Sequence, residues 1–197
     1  MREKWIVEAK KGDFNGLSAK LKVSPLAVRC LMNRGVESEQ EMRSFLYGTL
    51  DDLHDPFTMK GMNEAVQEIV QAREQGRKVA IASDFDCDGI FSAYILWKGF
   101  QRIGLDSEIF TPDRVKEGYG LNRRIVDEAL AGGRDFLVTC DNGIAANEEV
   151  DYAKKLGMTV IVTDHHEVQE QMPAADVVLD PKRDDETYPF HGLCGAG

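Results

Sequence analysis

From about residue 62 onward the chain alternates helix and strand signals without a break, and nothing else in it restricts the fold as much. Residues 63–75 carry Ala65, Ile69 and Ala72 on one helical face and close at Gly76. The run KVAIAS, residues 78–83, is short, apolar and rich in small and β-branched residues, as a buried strand requires. The same grammar then repeats. It predicts helix over 90–103, strand over 107–111, helix over 122–131, strand over 136–140, helix over 145–156 and strands over 158–163 and 177–179. Continuous apolar strands separated by helices imply a parallel sheet with helices on both faces and right-handed crossovers. The expected fold class is therefore α/β, with a parallel sheet of about five strands.

Residues 1–60 lack that alternation and read as a small helical N-terminal region. Short apolar-periodic stretches fall at 17–21, 25–32 and 38–46, and Ser38 with Glu41 forms a capping-box pattern. The segment LDDLHDPFTMKGM is irregular, broken by Pro56 and Gly61. The expected division is a helical region at 1–60 and a single α/β domain at 61–197.

Composition excludes several classes. No apolar run approaches the roughly 18 residues of a membrane span, and the start MREKWIVEAKKGDF has no apolar core of a secretory signal. The cytoplasm is the expected location. Cys30, Cys87, Cys140 and Cys194 form no C-x-x-C pair, so neither a zinc ribbon nor a redox motif is indicated. The net charge of −10 argues against a protein that coats nucleic acid with a basic surface. It is compatible with clustered carboxylates that hold cations.

The acidic residues and histidines fall where an α/β sheet binds ligands. Asp84-Phe85-Asp86-Cys87-Asp88-Gly89 follows KVAIAS at once, Asp141-Asn142-Gly143 follows FLVTC, and Asp164-His165-His166-Glu167 follows MTVIVT. Three strands thus deliver oxygen ligands and imidazoles to their carboxyl ends. Asp84, Asp86 and Asp88, spaced by two, project to one side while the backbone stays extended, and Gly89 allows a turn into the next helix. Such carboxylates repel one another unless a cation compensates them. Helix capping accounts for one of the three. An EF-hand loop opens with the same D-x-D-x-D-G, but its bidentate acid would fall at Ile95, which cannot ligate. Asp141 alone reads equally as a helix cap, and Asn142-Gly143 as a turn; convergence with the other strand ends favours a metal ligand. Asp164 and Glu167 also match a capping pair. Adjacent histidines are expected to diverge, so that one ligates while the other contacts substrate or supports the site. Carboxylates with imidazole suit Mn²⁺ or Mg²⁺.

Together these motifs resemble the DHH phosphoesterases, and within them the RecJ branch. Asp84 to Gly89 is similar to the first motif of that family, Asp141 to Ile144 to its intermediate aspartate motif, and Asp164-His165-His166 to the signature that names it. Pro112-Asp113-Arg114 with Glu117-Gly118-Tyr119-Gly120-Leu121 resembles a P-x-R…E-G-Y-G-L stretch. Leu193-Cys194-Gly195-Ala196-Gly197 resembles an L-A-G-x-G segment that enters another helix. Ser83 stands where glycine is common in the family, and Ile90-Phe91 replaces smaller residues; neither removes a ligand.

The resemblance implies that Asp84, Asp86, Asp141 and His165 hold two Mn²⁺ or Mg²⁺ ions. It assigns Asp88 and His166 supporting or phosphate-contacting catalytic roles, and Asp164 the task of orienting His165 or capping its helix. It implies 5′-to-3′ exonuclease action on single-stranded DNA, in repair and recombination. Arg114, Lys116 and Tyr119 then clamp a phosphate or stack on a base, or else form a solvated loop. Relatives continue past Gly197 with another aspartate ligand and further domains, so the chain is expected to be a fragment that is inactive alone. The alternatives are a DHH hydrolase of short oligonucleotides, cyclic dinucleotides or polyphosphate, and a DHH-fold binding module without catalysis.

Overall fold

The computed structural model describes Ile6 and residues 10–197. Most of the opening segment, read above as lacking a secretory signal, lies outside the described residues. By their internal contacts Met1–Leu53 and His54–Gly197 form two compact units.

The first unit is helical. α1 (Phe14–Leu21) is capped by Asp13, α2 (Pro25–Asn33) by Ser24 with proline in its first turn, and α3 (Glu39–Tyr47) by Ser38. The Ser38–Glu41 box forms as the spacing predicts: Glu41 N–H donates to Ser38 Oγ at 3.1 Å, and Ser38 N–H to Glu41 Oε2 at 2.9 Å. Leu21, Val28, Leu31, Met32 and Met42 make its core.

In the second unit the predicted alternation is realised. The elements are α4 (Met62–Glu74), β1 (Val79–Ser83), α5 (Cys87–Arg102), β2 (Ser107–Phe110), α6 (Arg123–Ala131), β3 (Phe136–Cys140), α7 (Asn147–Lys155), β4 (Thr159–Thr163) and β5 (Val177–Leu179). The five strands are all parallel, in the order β2-β1-β3-β4-β5. Side chains alternate across each strand, which divides the core in two. Ala80, Ala82, Leu137, Val160 and Val162 face α6 and α7, where Ile125, Val126, Ala129, Val150 and Ala153 are buried. Val79, Ile81, Phe136, Val138 and Ile161 face α4 and α5, where Ala65, Ala72, Ala93 and Phe100 are buried. Each large side chain so enclosed stabilises the fold by about 1.5–3 kcal/mol.

This order positions the site. The chain leaves β1 toward β2 on one side and returns to β3 on the other, so a crevice opens between the carboxyl ends of β1 and β3. In open α/β sheets that switch point is where ligands bind.

Two expectations are corrected. α5 begins at Cys87 rather than Ile90, because Asp86 accepts from Gly89 N–H at 3.0 Å and caps it. Asp88 therefore sits in the first helical turn, and the three aspartates do not lie along one extended strand. Gly89 is a helical residue, and its lack of a side chain serves close approach: a Cβ there would lie 2.5 Å from the Asp84 carbonyl oxygen. Nor does a helix follow Asp164, since residues 164–176 are irregular.

Candidate metal centre

Four of the five strands end on an aspartate: Asp84 after β1, Asp141 after β3, Asp164 after β4 and Asp180 after β5. All four are buried, although aspartate rarely is without a partner. Parallel pairing brings these strand ends to one rim.

Asp141 is the centre of the arrangement. Its backbone adopts φ 60°, a left-handed conformation that few side chains tolerate and aspartate is among the best suited to. It caps no helix; α7 starts only at Asn147 and has no side-chain cap. Asp141 Oδ1 lies 2.9 Å from His165 Nε2 and accepts a hydrogen bond from it when that nitrogen carries the proton. Two groups of donor atoms lie within 4.8 Å of one another: Asp84, Asp86 and Asp141, and Asp141, His165 and His166. Asp141 belongs to both, and a carboxylate has two oxygens to share between two cations. Burial, followed by the charges of Asp88 and Asp86, pushes the Asp141 pKa up to about 6 against the opposing hydrogen bond of His165. Negative charge is thus crowded at Asp141, and His165 offsets only part of it. The donors are oxygen and imidazole, the set suited to Mn²⁺ or Mg²⁺.

The histidine pair departs from expectation. Their ring centroids are only 4.5 Å apart, tilted by 41°, and each ring offers a nitrogen to the group that contains Asp141. Asp164 braces His166 rather than the ring of His165. Its Oδ1 lies 2.7 Å from His166 Nδ1 and accepts from both histidine N–H groups, while Oδ2 accepts from Ile144 N–H at 2.9 Å. Burial opposes protonation of His166, but the hydrogen bond and charge of Asp164 outweigh it and raise the pKa. Nδ1 is thus engaged by Asp164.

Asp88 turns elsewhere. Its oxygens accept from Gly195 N–H and Ala196 N–H, both at 2.8 Å, and one lies 3.5 Å from His165 Nε2. Burial works against its charge, yet the two N–H donors and the Cys194 thiol hold its carboxyl below the usual carboxylate range.

A groove of about 490 Å³ opens beside the centre, lined by Asp84, Asp141, Asp164, His166, Tyr119 and Glu149 among others. Arg114 and Tyr119 meet at its edge through Phe85: the guanidinium lies 5.0 Å from the Phe85 ring centroid and the Tyr119 ring 5.2 Å from it. Lys116 pairs with Asp113 at 3.5 Å instead. The Arg124 guanidinium holds the Glu117 carboxyl down to about 2, which anchors the base of this loop.

Three residues escaped the sequence analysis. Asn142, read there as a turn residue, is buried and donates to the carbonyls of Ala82 and Cys140 while accepting from Leu121 N–H. It pins β1, β3 and the Glu117–Leu121 stretch together. Asp180 is fully buried with Oδ2 unpartnered, and burial, with the Asp164 charge added, pushes its pKa up to about 6. Its signal was available: an aspartate directly after a strand, as in the other three cases. Phe85, a mere spacer in the motif, forms the aromatic edge.

The model of the DHH family, N-terminal domain, matches residues 78–197. The chain belongs to the DHH family. It is 37% identical over 195 residues to the single-stranded-DNA-specific exonuclease RecJ of Bacillus subtilis, covering 98% of this chain and 25% of that protein. It is 35% identical over 175 residues to RecJ of Escherichia coli, covering 88% and 30%. The chain thus spans under a third of these relatives. Among solved structures, exonuclease RecJ bound to manganese superposes with a TM-score of 0.64 at 33% identity, over 71% of this chain and 35% of that one. RecJ in complex with Mn²⁺ from Thermus thermophilus gives a TM-score of 0.67 at 28% identity, over 93% and 25%. Among the described residues no helix is long and apolar enough to cross a membrane.

Proposed function

We propose that this chain carries a metal-binding part of a RecJ-type exonuclease that hydrolyses phosphodiesters of single-stranded DNA in the 5′-to-3′ direction. The observation that carries the reading is Asp141, buried and common to both donor groups. The similarity to single-stranded-DNA-specific exonucleases supports the substrate; a cytoplasmic role in repair and recombination is part of the same proposal. The unit His54–Gly197 and the family match support 61–197 as the DHH domain.

Asp84, Asp86, Asp141 and His165 would hold two Mn²⁺ or Mg²⁺ ions, which supply an activated water and charge neutralisation at the phosphate. The chain's own groups do the rest. Asp164 fixes the His166 ring, and protonated Nε2 donates to a phosphate or leaving oxygen. Asp164 therefore acts by positioning. Tyr119, Phe85 and Arg114 offer a stacking edge on which a nucleotide base is held while its phosphate lies over the rim.

The test uses the full-length protein with 3′-labelled single-stranded DNA and, in parallel, dinucleotides and cyclic dinucleotides. Mn²⁺-dependent shortening of the long strand is expected, and Asp141→Ala should abolish it with the fold intact. Cleavage of dinucleotides alone makes the enzyme an oligonucleotide hydrolase. Strand binding without cleavage makes it a non-catalytic module.

A further inference from the structure

The first acidic motif and the last residues of the chain are joined by a contact that metal binding does not require. Asp88 Oδ2 accepts from Gly195 N–H and Oδ1 from Ala196 N–H, across 107 and 108 residues of sequence. Asp88 belongs to neither donor group gathered around Asp141. Gly195 in turn lies directly on Asp141: a Cβ at that position would stand 2.6 Å from Asp141 Oδ1, 2.7 Å from its Cβ and 2.8 Å from its Cγ. Only glycine fits.

We propose that Asp88 is a positioning residue, a clasp whose carboxylate holds the Leu193–Gly197 turn against Asp141 and so fixes the rotamer of the shared ligand. This rests on the metal-site reading above and assigns a task to two motifs it left loosely defined. Two convergent N–H groups recognise a carboxylate in the way a helix N-terminus does. Each Asp88 oxygen is engaged by a backbone donor, which sets the side chain's orientation before any cation arrives. The glycine lets the backbone approach closely enough to block alternative positions of the Asp141 side chain. Asp88 thereby acts on the reaction through Asp141 and not by carrying a proton.

Amide hydrogen exchange resolved at Gly195 and Ala196 in the full-length protein, without metal or DNA, tests the clasp directly. Both amides should exchange slowly, and Asp88→Asn should accelerate them roughly 10- to 100-fold, the range set by hydrogen bonds to a charged group. Amides in β1 and β3 should keep their protection. In Mn²⁺-dependent hydrolysis, Asp88→Asn and Gly195→Ala should each lower kcat and leave both limbs of the pH–rate profile in place. The double variant should be no slower than the slower single one, because both break the same device. Loss of a pH limb in Asp88→Asn, multiplying effects in the double variant, or amides that stay protected in Asp88→Asn would each overturn the proposal. Protected amides in a protein that hydrolyses nothing would leave the clasp standing and remove the nuclease reading; unprotected amides in an active enzyme would do the reverse.

Discussion

Replacing Asp141 by asparagine should make the metal-free protein more stable while destroying its response to Mn²⁺. Asp141 is buried beside Asp86 and Asp88, and its pKa rises from 3.8 to about 6. A carboxyl whose folded-state pKa is raised binds more protons folded than unfolded between those values. Stability therefore falls as pH rises through that window and stays lowered above it. At 1.36 kcal/mol per pH unit, the ionised group costs about 3 kcal/mol at pH 8. Asparagine removes that charge, tolerates the left-handed backbone at φ 60°, and keeps an oxygen that can accept from His165 Nε2. Allowing for the weaker hydrogen bond, the net stabilisation should be about 1–3 kcal/mol. Urea unfolding at pH 8 with a chelator reads this term. Repeating the titration with Mn²⁺ at a hundred times its dissociation constant should stabilise the parent by about 2.7 kcal/mol and the variant hardly at all. A variant less stable than its parent without metal, or one that still gains stability from Mn²⁺, would refute the argument that crowded charge at Asp141 is what the cations relieve.

Mn²⁺ affinity should climb as pH rises through about 6, because binding must displace the proton held by Asp141; calorimetry at pH 5, 6 and 7 measures it, and a flat profile contradicts the assignment. Asp180→Asn should raise metal-free stability above pH 6 and flatten its decline between pH 4 and 6, as urea midpoints across that range will show. Asn142→Ala removes three buried hydrogen bonds, to the Ala82 and Cys140 carbonyls and from Leu121 N–H, and should destabilise the domain by about 2–4 kcal/mol in urea unfolding. Tyr119→Ala in the full-length protein should weaken single-stranded DNA binding by about 1–3 kcal/mol, read by fluorescence anisotropy, with Mn²⁺ affinity unchanged.

Local chemistry made much of this architecture legible. Apolar runs such as FLVTC and TVIVT, each followed by helical periodicity, require a parallel sheet wherever they occur, because both faces of such strands must be covered. Since Asp84, Asp141 and Asp164 each follow a strand, the rim they share was implied before any coordinates. Boundaries were less legible. The start of α5 at Cys87 depends on Asp86 closing its cap onto Gly89, and apolar periodicity begins only later in that helix.

What the tertiary structure alone decided lies in contacts between residues far apart in the chain. Asp88 meets Gly195 and Ala196, Asn142 joins Ala82 to Leu121, and Asp164 reaches Ile144, and no local pattern marks such pairings. A residue's type states which bonds it can form, whereas its partner is chosen by strand order and by the path of the loops above it. Aspartates alike in sequence were thereby divided, one shared at the centre, one clasping backbone, one bracing a histidine and one left buried with an oxygen unpaired.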